Sequence, residues 1–180
     1  MIKKWEISSK NKIDKKELQE KISNNFKISK LLSKILINRG LETEDNIRVF
    51  LNPTRSDFHD PFLMPDMDKA VERILKAIDK KEKIIIYGDY DVDGITSITV
   101  LKKFLEERGA IVSSYIPNRL DEGYGLNKEA ILSIAKQGFN LMITVDCGIS
   151  GTEEVEYANS LGIETVITDH HEPLEILPNA

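Results

Sequence analysis

The sequence has a single cysteine, Cys147, in 180 residues, so no disulfide can form within the chain. A lone cysteine fits a reducing compartment, and the expected location is the cytoplasm. No apolar run approaches the roughly 20 residues needed to span a bilayer, which argues against a membrane role. The N-terminal stretch MIKKWEISSK is basic but lacks the apolar core of a secretory signal. Internal repeats and low-complexity segments are missing too. What is present is ordinary for a soluble globular protein: 41% hydrophobic and 31% charged residues. The length suffices for one full domain, or for a small domain plus part of a larger one.

The net charge of -5 hides an asymmetry. Residues 1–39 hold 11 Lys and Arg against 4 acids, whereas residues 40–180 hold 14 basic against 26 acidic residues. A basic segment beside an acidic one can hold phosphates next to a cation-binding centre, or the lysines can simply be solvated helix faces.

Hydrophobic spacing divides the chain. Residues 14–24, 29–38 and 43–51 read as three short helices, with Thr43 capping the third and Gly40 stopping the second. In the second, Ile28, Leu31, Leu32, Ile35 and Leu36 form one apolar face. Residues 52–66 carry three prolines and no period, and read as an extended connector containing His59, a loop histidine. Residues 1–65 are therefore expected to form a helical N-terminal segment and connector, and residues 66–180 the larger domain. In the latter, Val71, Ile74, Leu75 and Ile78 mark a helix packing one face on a sheet. Strands follow at 84–88, 110–116, 141–145 and 164–168. They alternate with helices at about 95–108, 127–137, and from a Ser150–Glu153 capping box to Leu161. That alternation predicts an α/β fold with a parallel sheet and flanking helices.

The chemistry sits where the strands end. The run Ile84 to Tyr87 stops at Asp89, Asp91 and Asp93; the third strand stops at Asp146; the fourth stops at Asp169, His170 and His171. In an open parallel sheet ligands lie outside the carboxyl ends of the strands, so these groups can meet at one edge. Three carboxylates within five residues repel one another unless a cation or water screens them. Several carboxylates with one or two imidazoles suit Mn²⁺ or Mg²⁺ better than a thiolate-preferring structural zinc. Two such ions favour in-line displacement at phosphorus, so phosphoester hydrolysis is the expected reaction. Cys147 beside Asp146 reads as a small buried residue at a strand end rather than a nucleophile.

GDYDVDG at 88–94, VDCG at 145–148 and DHH at 169–171, in that order, resemble the first three motifs of the DHH phosphoesterases. INRG at 37–40, FLNP at 50–53, HDPFLMPDMDKAVERI at 59–74 and NRLDEGYG at 118–125 are similar to the single-stranded-DNA-specific exonucleases within that family. The resemblance implies a metal-dependent hydrolase that degrades single-stranded DNA from its 5′ end in repair and recombination, using two Mn²⁺ or Mg²⁺ ions. It implies Asp91, Asp93, Asp146 and His170 as ligands, with Asp89 as a further candidate, and His171 near the scissile phosphate. Asp169 would orient the histidines. Arg119 would bind a DNA phosphate and Tyr124 would stack on a base. Tyr87 stands where related pyrophosphatases carry a metal-binding histidine. The family's fourth motif falls beyond Ala180, so residues 1–180 are expected to be an incomplete domain and inactive alone. Two other readings are a phosphodiesterase for short oligonucleotides or cyclic dinucleotides and a non-catalytic nucleic-acid-binding relative.

Overall fold

The computed structural model describes residues 15–118, 123 and 125–180. Arg119 and Tyr124 lie outside these residues. The chain divides into two compact units, Met1–Leu63 and Met64–Ala180.

In the first unit three helices, α1 (Lys16–Phe26), α2 (Lys30–Asn38) and α3 (Glu44–Leu51), enclose Ile22, Leu36, Ile37 and Ile47. The Ser29 hydroxyl caps α2 by accepting from the Leu32 N–H at 3.1 Å, and Thr43 caps α3 through Asn46. The apolar face of α2 is turned from its expected setting. Leu31 and Ile35 are exposed, while Ser33 and Ile37 are buried, because the helix packs through the 33/36/37 side. Lys15, Lys21 and Lys30 pair with Glu42, Glu44 and Glu20, which is the solvated-face arrangement of a basic segment. The connector is less extended than its prolines suggest: Arg55–Asp57 and Pro61–Leu63 each form a 3₁₀ turn. The Asp57 carboxylate closes the first by accepting from the Thr54 N–H at 2.8 Å.

The second unit runs α4 (Met67–Asp79), β1 (Lys83–Gly88), α5 (Val92–Glu107), β2 (Ile111–Tyr115), α6 (Lys128–Lys136), β3 (Leu141–Val145), α7 (Thr152–Ser160) and β4 (Glu164–Thr168). All four strands are parallel in the order β2-β1-β3-β4, so the topological switch falls between β1 and β3. Odd and even positions serve opposite faces. Ile84, Ile86, Leu141, Ile143 and Val145 pack with Ala77, Ile98 and Leu105 of α4 and α5. Ile85, Tyr87 and Met142 pack with Ile131 and Ile134 of α6 and Ala158 of α7. Burial on both faces explains why these strands read as continuous apolar runs. Each fully buried isoleucine or leucine contributes about 1.5–3 kcal/mol by transfer from water.

Three local expectations change. Leu75 is exposed and Ala77 buried, so α4 packs through its 74/77/78 side. The first helix after the acidic loop begins at Val92, three residues early. The Ser150–Glu153 box does not form; Gly151 is the N-cap, without a side-chain bond, and Glu153 instead pairs with Lys128 at 2.8 Å. At the amino end of the sheet Arg73 ties Glu82 to Glu164, 2.7 Å from each. Among the described residues no helix is long and apolar enough to cross a membrane.

Candidate metal centre

Strand register aligns the site. Gly88 pairs with Val145, and Val145 with Thr168. The next residue on each strand is an acid, so Asp89, Asp146 and Asp169 leave the sheet side by side. Gly88 is dictated by packing, since a Cβ there would fall 2.6 Å from Ile98 Cδ1 and 2.9 Å from Val145 Cγ2.

The acidic loop resolves its repulsion partly by becoming a helix N-terminus. Asp91 is the N-cap of α5, its Oδ1 accepting from the Gly94 N–H at 3.0 Å, and Asp93 lies in the first turn. The Gly94 bond leads the causes that hold the Asp91 carboxyl below its ordinary pKa. Asp89 is buried, and its Oδ1 accepts from the Tyr90 N–H at 2.7 Å.

Asp146 occupies the left-handed region at φ 60°, uncommon for a residue with a side chain, and its N–H donates to Thr168 O at 3.0 Å. That bend brings its Oδ1 to 2.9 Å from His170 Nε2. Burial raises the Asp146 pKa; His170 opposes the rise, and the charges of Asp91 and Asp93 add to it. Asp169 anchors the histidine turn. Its Oδ2 accepts from the Ile149 N–H at 3.0 Å, while its Oδ1 accepts from the backbone N–H of His170 and lies 2.7 Å from His171 Nδ1. Burial pushes the Asp169 carboxyl up, but these bonds outweigh it and hold the carboxyl low. The hydrogen bond to Asp169 in turn raises His171.

Among the described residues two groups of donors emerge, each with one atom per residue within 4.8 Å of the others: Asp89, Asp91 and Asp146, and Asp146, His170 and His171. Asp146 belongs to both. Asp93 belongs to neither, but lines a cleft of about 310 Å³ with Asp146, Asp169 and His170. Oxygen donors outnumber imidazoles and no thiolate takes part, a set that fits a hard divalent cation. Buried Asp89 and Asp146 beside Asp91 supply negative charge that a cation would neutralise. Thr96 and Ser97, on the exposed side of α5, also line the cleft. Sequence periodicity singles out only the buried face of this helix and gives no signal for these two hydroxyls. Tyr87 lies on the opposite face of the sheet and its hydroxyl bonds Gly125 and Asn127.

Cys147 is buried with Sγ 3.9 Å from Tyr87 O. Burial, followed by the charges of Asp169 and Asp89, pushes its thiol up to about 12. The native protein at pH 8 is therefore expected to resist alkylation by iodoacetamide, and to react fully once unfolded in guanidinium, as read by mass spectrometry.

The sheet is open and parallel, and acids and histidines gather at its carboxyl edge. The profile of the DHH family, N-terminal domain, matches residues 83–180, and the chain belongs to that family. More particularly, it is a homologue of the RecJ exonucleases. It is 44% identical over 98% of its length to the single-stranded-DNA-specific exonuclease RecJ of Bacillus subtilis (strain 168), of which it covers 22%. To RecJ of Escherichia coli (strain K12) it is 41% identical over 63% of its length, covering 20% of that protein. The crystal structure of exonuclease RecJ bound to manganese matches with a TM-score of 0.60 at 36% identity, over 64% of this chain and 30% of that one. The chain thus spans about a fifth of the length of these curated relatives.

Proposed function

We propose that this chain supplies the first part of the active site of a nuclease that hydrolyses single-stranded DNA from its 5′ end, in the cytoplasm, during repair and recombination. The observation that carries the reading is Asp146, one carboxylate shared by two donor groups, as two neighbouring cations require. Asp89, Asp91 and Asp146 would hold one Mn²⁺ or Mg²⁺, and Asp146 and His170 would hold the second, with Asp93 completing the acidic wall. Ions held there would supply Lewis acidity toward a water and toward the phosphoryl oxygens. His171 does the chain's own work beside them. Asp169 fixes its Nδ1 and favours the protonated ring, which suits it to face a phosphate oxygen. The polarity of attack, the Arg119 phosphate contact and the Tyr124 base stack follow from the resemblance to the exonucleases. The manganese-bound RecJ structure supports the choice of metal.

Residues 1–180 alone are expected to take up Mn²⁺ in calorimetry and to leave labelled single-stranded DNA uncut. A protein of the relatives' length carrying this segment should degrade it, preferring a long strand to a dinucleotide. Absence of Mn²⁺ uptake would sink the metal reading, and equal turnover of both substrates would sink the exonuclease reading in favour of a small-substrate phosphodiesterase.

A further inference from the structure

A tyrosine hydroxyl in a core is costly unless it is bonded, and phenylalanine would fill the same space. Tyr87 is fully buried, its ring 5.1 Å from that of Tyr115. Its hydroxyl donates to Gly125 O and accepts from Asn127 Nδ2, both at 3.1 Å. Asn127 is itself committed, since its Oδ1 caps α6 through the Ala130 N–H at 2.7 Å. One hydroxyl therefore ties the end of β1 to the start of α6 and to Gly125, a glycine held at φ +83°.

What Gly125 borders gives the bond its meaning. Gly125 and Leu126 line a second cleft of about 350 Å³ together with Gly148, Ser150, Gly151, Glu154, Asp169 and His171. The cleft therefore shares Asp169 with the acidic cleft described above. β1, which carries Tyr87, also delivers Asp89 to the donor groups two residues later. The Tyr87 hydroxyl thus links the Gly125 side of this cleft to the strand that carries Asp89.

We propose that Tyr87 is a positioning residue for substrate grip: through Gly125 and Asn127 it holds the wall of the cleft that receives the nucleotide flanking the scissile phosphate. The inference rests on the reading of this chain as a nuclease segment. It also explains why the residue at this place need not be a metal ligand, because its polar end serves the wall instead.

The test compares wild type, Tyr87→Phe and Asn127→Ser in the 180-residue chain. Serine can keep the α6 cap while removing the amide donor to Tyr87. Mn²⁺ affinity is measured by calorimetry, and affinity for a short fluorescein-labelled oligothymidylate in Mn²⁺ by anisotropy. Both variants are expected to bind the oligonucleotide about five- to tenfold more weakly, with Mn²⁺ affinity within about twofold of wild type. Unchanged DNA affinity would overturn the proposal. So would a parallel fall in Mn²⁺ and DNA affinity, the mark of general damage to the core. Failure of the wild-type chain itself to bind the oligonucleotide would also overturn the proposal, since its cleft would then hold no nucleotide, whereas the nuclease reading is decided separately by degradation in a protein of the relatives' length.

Discussion

Gly94→Ala is expected to lower the melting temperature of the chain by roughly 10 °C and to weaken Mn²⁺ binding by roughly 10- to 100-fold. Gly94 sits in the first turn of α5, where its N–H serves the Asp91 carboxylate. A Cβ added there would stand 2.7 Å from the Asp89 backbone nitrogen. No rotamer relieves that contact, because the atom it meets is main chain and buried. Either α5 lifts away from β1 or the Asp89 peptide moves, and both disturb the donors on either side. An overpacked site of this kind costs about 3 kcal/mol. Thermal melts in EDTA isolate the stability change and titration calorimetry reads the metal. A variant that melts and binds Mn²⁺ like wild type would show that the loop has room the structure denies it.

The same loop shows where sequence patterns stop being informative. β1 and β3 were legible because apolar runs buried on both faces end sharply at acids. The start of α5 was not. Asp89, Asp91 and Asp93 are each chemically able to cap a helix, and Gly94 with β-branched Ile95 and Thr96 weakens the helical signal over that turn. The choice falls on Asp91 because Gly94 must pass under the Asp89 peptide, a tertiary contact with no local signature. Ser150 and Glu153 failed for a comparable reason. Gly148, at φ +108°, starts a turn closed by the Gly151 N–H, so the helix begins one residue later and Glu153 is taken by Lys128 from another helix. Convergence of the strand ends followed from topology alone. The register that places Asp89, Asp146 and Asp169 in one row did not, since which residues pair across strands is settled by packing of distant segments.

Asp146→Asn is expected to remove the stabilisation that Mn²⁺ gives the wild type while leaving the metal-free fold as stable or more so. Asparagine tolerates the left-handed conformation at φ 60° and can still meet His170 through its carbonyl oxygen. What it lacks is charge. Burial first, and then Asp91 and Asp93, raise the pKa of Asp146 above its unfolded value. A carboxyl shifted in that direction binds its proton more tightly in the fold. Once pH exceeds the unfolded pKa, the native state therefore loses stability relative to the unfolded chain, and the loss is complete above the folded pKa. At pH 7 in EDTA the wild type carries that penalty and the variant does not. Added Mn²⁺ reverses the order. At one hundred times its dissociation constant a ligand adds about 2.7 kcal/mol to the native state, which raises the wild-type melting temperature by roughly 5–10 °C. The variant, deprived of the one carboxylate common to both donor groups, should gain about 1 °C or less. Melts of the two proteins with and without Mn²⁺ give the four values needed. An undiminished Mn²⁺ gain in the variant would mean that Asp146 holds no cation, and that its strained backbone and its contact with His170 serve something else.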